Sequence, residues 1–165
     1  MFVTACVASP APDDPIPPEP ADPAPSDPSH PEPPEISLLR SWMQCMELSD
    51  FQASNMAGAW ANTITSNNTR CSACHENGAD GFIATLDEQR FFDVLKGNKY
   101  FALMFFTVYG PADHVVVNDV TIPSISRGEV PHTQHPLFDA SLGLAATSKF
   151  YDLTQARFLA GTCAP

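Results

Sequence analysis

The sequence predicts a mainly α-helical domain with room for one short β-hairpin, preceded by a disordered tail rich in proline and acid. Three observations carry this expectation. Residues 1–35 hold 12 of the 17 prolines and seven of the 19 acids, and none of the eight lysines and arginines. Beyond them, apolar residues recur at helical spacing, first at positions 38, 39, 42, 43 and 46. One β-branched run, Val115-Val116-Val117, prefers a strand.

The chain therefore divides into a linker, residues 1–35, and a folded part, residues 36–165. Residues 10–35 alternate Pro with Asp, Glu, Ala and Ser, and Ile16 is their one large apolar residue. Such a segment cannot bury enough surface to offset its ordering entropy. Proline and like-charge repulsion extend it, at about 3.1 Å per residue in polyproline II, so thirty residues reach about 90 Å. His30 within it is expected to be solvated. At the start, Val3-Thr4-Ala5-Cys6 resembles the lipobox of bacterial lipoproteins, in which the cysteine takes the lipid. Neither a charged start nor an apolar stretch precedes it, as a full signal peptide requires. A lipid on Cys6 would make the linker a membrane tether; without one, it is a solubilising tail.

Charge and hydropathy exclude other classes. The net charge of −11 splits into −7 on residues 1–35 and −4 on the remainder (12 acids against eight bases). No basic patch exists, so nucleic acid has no electrostatic footprint. No run of 18 apolar residues occurs, so no transmembrane helix is expected.

The elements follow in order. The first stripe predicts a helix over residues 36–47. Ser49-Asp50-Phe51-Gln52 fits a capping box and predicts a second helix over 50–61. Residues 62–69 are polar and turn-rich. Thr85-Leu86-Asp87-Glu88 is another capping box, predicting a helix over 86–96 with Gly97 at its end. Residues 99–108 suit a buried helix or a strand equally, and Gly110-Pro111-Ala112-Asp113 can turn into the valine run. Prolines 123, 131 and 136 and Gly128 predict an irregular stretch over 119–136. A last helix is expected over 146–160, with Gly161 closing it.

The chemistry lies in Cys71-Ser72-Ala73-Cys74-His75. Two thiols at this spacing reach the two vinyl groups of one haem and form thioethers, and the adjacent histidine becomes the proximal iron ligand. Two other uses of the residues compete. A redox Cys-x-x-Cys wants a strand before it and a helix after it, whereas a polar loop precedes this one and Glu-Asn-Gly follows. A zinc site would take Cys71, Cys74 and histidines such as His132 and His135, giving a zinc-stabilised interaction module. If Cys71 and Cys74 hold haem and Cys6 lipid, Cys45 and Cys163 remain. They pair as a disulfide in an oxidising compartment, or stay as two buried thiols.

A helix, then Cys-x-x-Cys-His, further helices, a late ligand loop and a closing helix together resemble a monohaem c-type cytochrome of the class I kind. The resemblance covers residues 38–163 in outline, and its specific part is the motif 71–75. It implies a small cytochrome c-like helical domain with one haem c, with Cys71 and Cys74 as thioethers and His75 on the iron. It also implies redox proteins as partners, and electron transfer rather than an enzymatic reaction. The setting is then periplasmic or extracellular, with tethering to a membrane through a Cys6 lipid.

The family usually supplies a methionine from the late loop as sixth ligand, and this late loop has none. His135-Pro136 stands in its place, so the expected order of distal ligands is His135, then His132, then Met104. Met104 otherwise suits the core, and His114 suits solvent. An open sixth position would point instead to a peroxidase-like enzyme or gas sensor. Trp42, Trp60, Phe82, Phe91, Phe92, Phe101, Phe105 and Phe106 are candidates for an apolar pocket. Gly78 and Gly81 suit close approach of backbone or plain turns. Arg70 suits a haem propionate or solvent.

Overall fold

The computed structural model describes residues 31–110 and 114–163, the Asp80 side chain apart. Cys6, His30, nearly all of the linker and residues 111–113, where a turn was expected, thus lie outside the described residues. Residues 33–165 form one unit built around a single aromatic-rich core.

Helix α1 (Pro34–Met43) opens with a proline in its first turn, where an amide hydrogen has no helical partner to lose. Its buried Leu39 and Trp42 sit on the expected stripe. It stops four residues short of position 47. The amides of Cys45 and Met46 tighten onto the carbonyls three residues back, and Glu47 is extended. The second expected helix is two. α2 (Leu48–Ser54) and α3 (Met56–Ala61) are broken by Asn55 at φ 57°. The Ser49 capping box does not form: α2 starts earlier, with no side-chain cap, and Ser49 Oγ lies 3.5 Å from Glu47 Oε2.

Helix α4 (Cys71–His75) is a single turn, and a 3₁₀ turn (Ala79–Gly81) follows it. Helix α5 (Glu88–Gly97) is capped by Asp87, which accepts from the Arg90 amide at 3.0 Å. Thr85, the expected cap, instead accepts from the Asp87 amide at 3.1 Å. The ambiguous stretch divides between α6 (Lys99–Ala102) and β1 (Phe106–Tyr109). β1 pairs antiparallel with β2 (His114–Val117), Thr107 opposite Val116.

The stretch expected to be irregular contains α7 (Thr121–Ser126). Its third residue is Pro123, where the missing amide costs nothing, and Asn118 Oδ1 accepts from the Thr121 amide at 3.0 Å. Helix α8 (Ser141–Ala160) begins five residues earlier than expected and ends at Gly161, φ 63°.

Helix α8 crosses α3 at Gly143, where a Cβ would lie 2.6 Å from the Trp60 indole. Trp60 Nε1 donates to Thr147 Oγ1 at 3.1 Å, so the buried indole is satisfied. Phe51, Phe91, Phe105, Phe106 and Phe150 fill the centre. Tyr151 donates its hydroxyl to Val115 O at 2.8 Å, tying α8 to the hairpin. The Arg157 guanidinium bonds Asp50 at 2.6 Å and Glu47 at 3.1 Å, tying α8 to the α2 end. Cys45 and Cys163 form the disulfide, bridging 118 positions from just past the ends of α1 and α8 rather than from within them. No described helix is long and apolar enough to cross a membrane.

Candidate functional site

The site is built from two chain segments some sixty residues apart. On the first, residues 64–70 fold back on themselves. Ile64 bridges Arg70, the Thr65 amide donates to Thr69 O at 2.9 Å, and Asn68 takes φ 62° to close the turn. The Cys71 amide then donates to Thr63 O at 3.0 Å and delivers the chain into α4. One helical turn sets Cys71, Cys74 and His75 on neighbouring faces, three and four residues apart.

Cys71 is a buried free thiol, and burial raises its pKa. Cys74, three residues on, is half-buried. His75 is 9% exposed. Its Nδ1 lies 2.9 Å from Ala79 O. A carbonyl only accepts, so Nδ1 carries the proton and the metal-binding lone pair belongs to Nε2. Gly78 at φ 85° and Gly81 at φ 74° reverse the chain to bring that carbonyl under the ring. Both act as turn glycines: a Cβ on either would meet nothing within 4 Å.

On the second segment, Gly128 at φ 65° turns the chain out of α7 into the late loop. The Phe138 amide donates to Ser126 O at 3.1 Å, and the Ser66 amide donates to Leu137 O at 2.6 Å. Thr65 bridges Phe138. The loop before the cysteine motif thus holds the late loop directly. His135 Nδ1 donates to Pro136 O at 2.8 Å, which leaves its lone pair on Nε2 as well.

The two imidazoles meet with ring centres 6.1 Å apart and planes within 14° of parallel. An imidazole nitrogen binds a first-row metal at about 2 Å; adding about 1.1 Å from nitrogen to ring centre on each side separates two trans rings by about 6 Å. A centre-to-centre distance of about 6 Å is thus what two imidazoles sharing one metal ion would have. Phe82 stands perpendicular to His75, 5.3 Å away at 90°, and Phe138 packs edge-on to His135, 5.5 Å away at 62°. Trp60, Phe101 and Phe105 back Phe82. The remaining aromatic candidates pack deeper: Phe91 and Phe92 around Phe51, and Trp42 against Phe106 and Tyr151. In the same two segments, Ile64 and Leu137 stand half exposed, at 49% and 51%.

Of the other sequence candidates, His132 is exposed and Met104 is half-buried against the core. His114 is exposed on β2, beside Tyr109. Arg70 is exposed at the start of α4. Sequence reading missed Phe138, whose signal was its position three residues after His135. Among the described residues no group of three or more His, Cys, Asp or Glu side chains is placed to hold a metal ion. A surface groove of about 510 Å³ between α3 and α8, lined by Asn55, Gly58, Leu142 and Lys149 among others, contains neither histidine. Compared with protein-family models, with curated proteins and with solved structures, the chain matches none.

Proposed function

We propose that this domain carries one haem c on Cys71 and Cys74, with His75 and His135 as axial ligands, and that it passes single electrons outside the cytoplasm. One observation supports the reading above the rest: the His75–His135 pair, with matched tautomers and a 6.1 Å separation suited to one iron. A haem so held supplies a reversible one-electron couple at the iron.

The residues of the chain set the character of that couple. Each Nδ1–H donates to a main-chain carbonyl, which makes each imidazole a stronger donor and favours the oxidised state. A histidine in place of methionine acts in the same direction. Phe82, backed by Trp60 and Phe105, would keep water from a haem held by His75. Two protein ligands close the iron to small molecules, which suits a carrier and not a peroxidase or gas sensor. Lipid on Cys6 and the acidic proline-rich linker would tether the domain and let it reach redox partners.

The test is protein exported with a cytochrome c maturation system. The expected product is pink, keeps its pigment through acidified acetone and gives a c-type pyridine haemochrome. Wild type stays low-spin and ignores carbon monoxide, whereas His135→Ala turns high-spin and binds it stoichiometrically when reduced. Rapid carbon monoxide binding by wild type would replace the carrier with the sensor or peroxidase reading. A colourless, zinc-containing product would end both.

A further inference from the structure

We infer that Phe138 is a positioning residue that, with the Pro136 carbonyl, holds the His135 imidazole parallel to that of His75. The inference rests on the haem reading above and adds what that reading leaves open, the rotation of each ligand about its own axis. An imidazole bound through one nitrogen spins freely about the metal bond unless its flanks are constrained. Both rings here carry the same pair of constraints, although the segments are separate in sequence. His75 has the Ala79 carbonyl on Nδ1 and the Phe82 ring across its face. His135 has the Pro136 carbonyl on Nδ1 and the Phe138 ring beside it. The result is an interplanar angle of 14°.

Phe138 is itself held independently of its side chain. Its amide donates to Ser126 O at 3.1 Å and its main chain bridges Thr65. Removing the ring therefore frees the imidazole while leaving the loop anchored. The angle has an electronic consequence. Parallel imidazoles donate into the same iron d orbital and split the two π-type orbitals, while perpendicular ones leave them nearly degenerate. A parallel pair thus fixes which orbital accepts and releases the electron, and second-shell groups are what hold such an orientation.

The experiment is low-temperature EPR of the exported, ferric, full-length holoprotein. The expected wild-type spectrum is the rhombic three-line low-spin signal of parallel ligands. Phe138→Ala should broaden it or shift it toward a single large-g line, and weaken His135 about tenfold, read as a high-spin fraction and as carbon monoxide uptake. Phe138→Tyr, which keeps the ring, should restore the wild-type spectrum. A single large-g line in wild type overturns the inference, as does a Phe138→Ala spectrum identical to wild type. Should Phe138→Ala not fold, the wild-type spectrum still decides the ligand planes. A sample without a haemochrome band sinks the haem reading itself, a failure distinct from a haem-loaded protein with crossed planes.

Discussion

At Gly143 a single missing methyl group decides how closely two helices approach. A Cβ there would sit 2.6 Å from three atoms of the Trp60 ring, closer than carbon atoms pack. The indole cannot retreat without giving up its bond to Thr147 and disturbing the Phe82 and Phe105 contacts. Gly143→Ala should therefore destabilise the fold by about 1–3 kcal/mol, the range for overpacking a filled core, read by chemical denaturation. Because Trp60 backs Phe82, which stands on His75, the same variant should perturb the candidate site as well. The contrast with Gly78 and Gly81 is instructive. Those glycines serve positive φ angles with open space around them, whereas Gly143 serves proximity inside a helix.

Elements begin and end here by local hydrogen bonds more often than by the nearest familiar motif. Asp87 displaces Thr85 as the cap of α5, and Asn118 rather than a proline break governs α7. At the start of α8, Asp139 Oδ1 accepts from the Ser141 amide at 2.9 Å. That bond holds the Asp139 carboxyl below its ordinary range. A carboxyl with a lower pKa folded than unfolded contributes stability above its unfolded pKa and loses it as pH falls through the folded one. Asp139→Asn should therefore lower the melting temperature at neutral pH and flatten the acid limb of the stability–pH curve, leaving the most acidic points nearly unchanged. A variant whose acid limb stays as steep as wild type would assign that titration elsewhere. α8 gathers Trp60, Phe150 and Arg157 contacts along its length, so fraying its start should loosen the closing helix before the hairpin.

Across the whole molecule, the chain ends of the folded part are locked together. The Cys45–Cys163 disulfide closes 118 positions, and Arg157 bonds Asp50 and Glu47 beside it. Cross-linking so long a loop restricts the unfolded chain, and the chain-entropy account assigns it about 4–5 kcal/mol. Cys45→Ser with Cys163→Ser should cost about that much in denaturant unfolding. A loss below about 1 kcal/mol would mean that the ion-paired helix ends already do the same work. The two segments of the histidine pair are joined directly, by the Ser66–Leu137 and Thr65–Phe138 contacts.

The motif at positions 71–75, the histidine-proline pair of the late loop and the strand-forming valines are short-range features that local composition and spacing display, and the valines do form β2. The Cys45–Cys163 pair was reached only by elimination, with two buried thiols as the alternative. Helix boundaries were legible only in part. The break at Asn55, the early stop of α1 and the helix through Pro123 depend on a turn conformation, on i−3 hydrogen bonds and on an Asx cap that periodicity does not register. The meeting of His75 with His135, and the packing of Phe138 against His135, belong to the tertiary structure alone. Sixty residues of chain separate the two rings, and their distance and relative tilt are set by cross-loop hydrogen bonds and aromatic packing that no local pattern encodes.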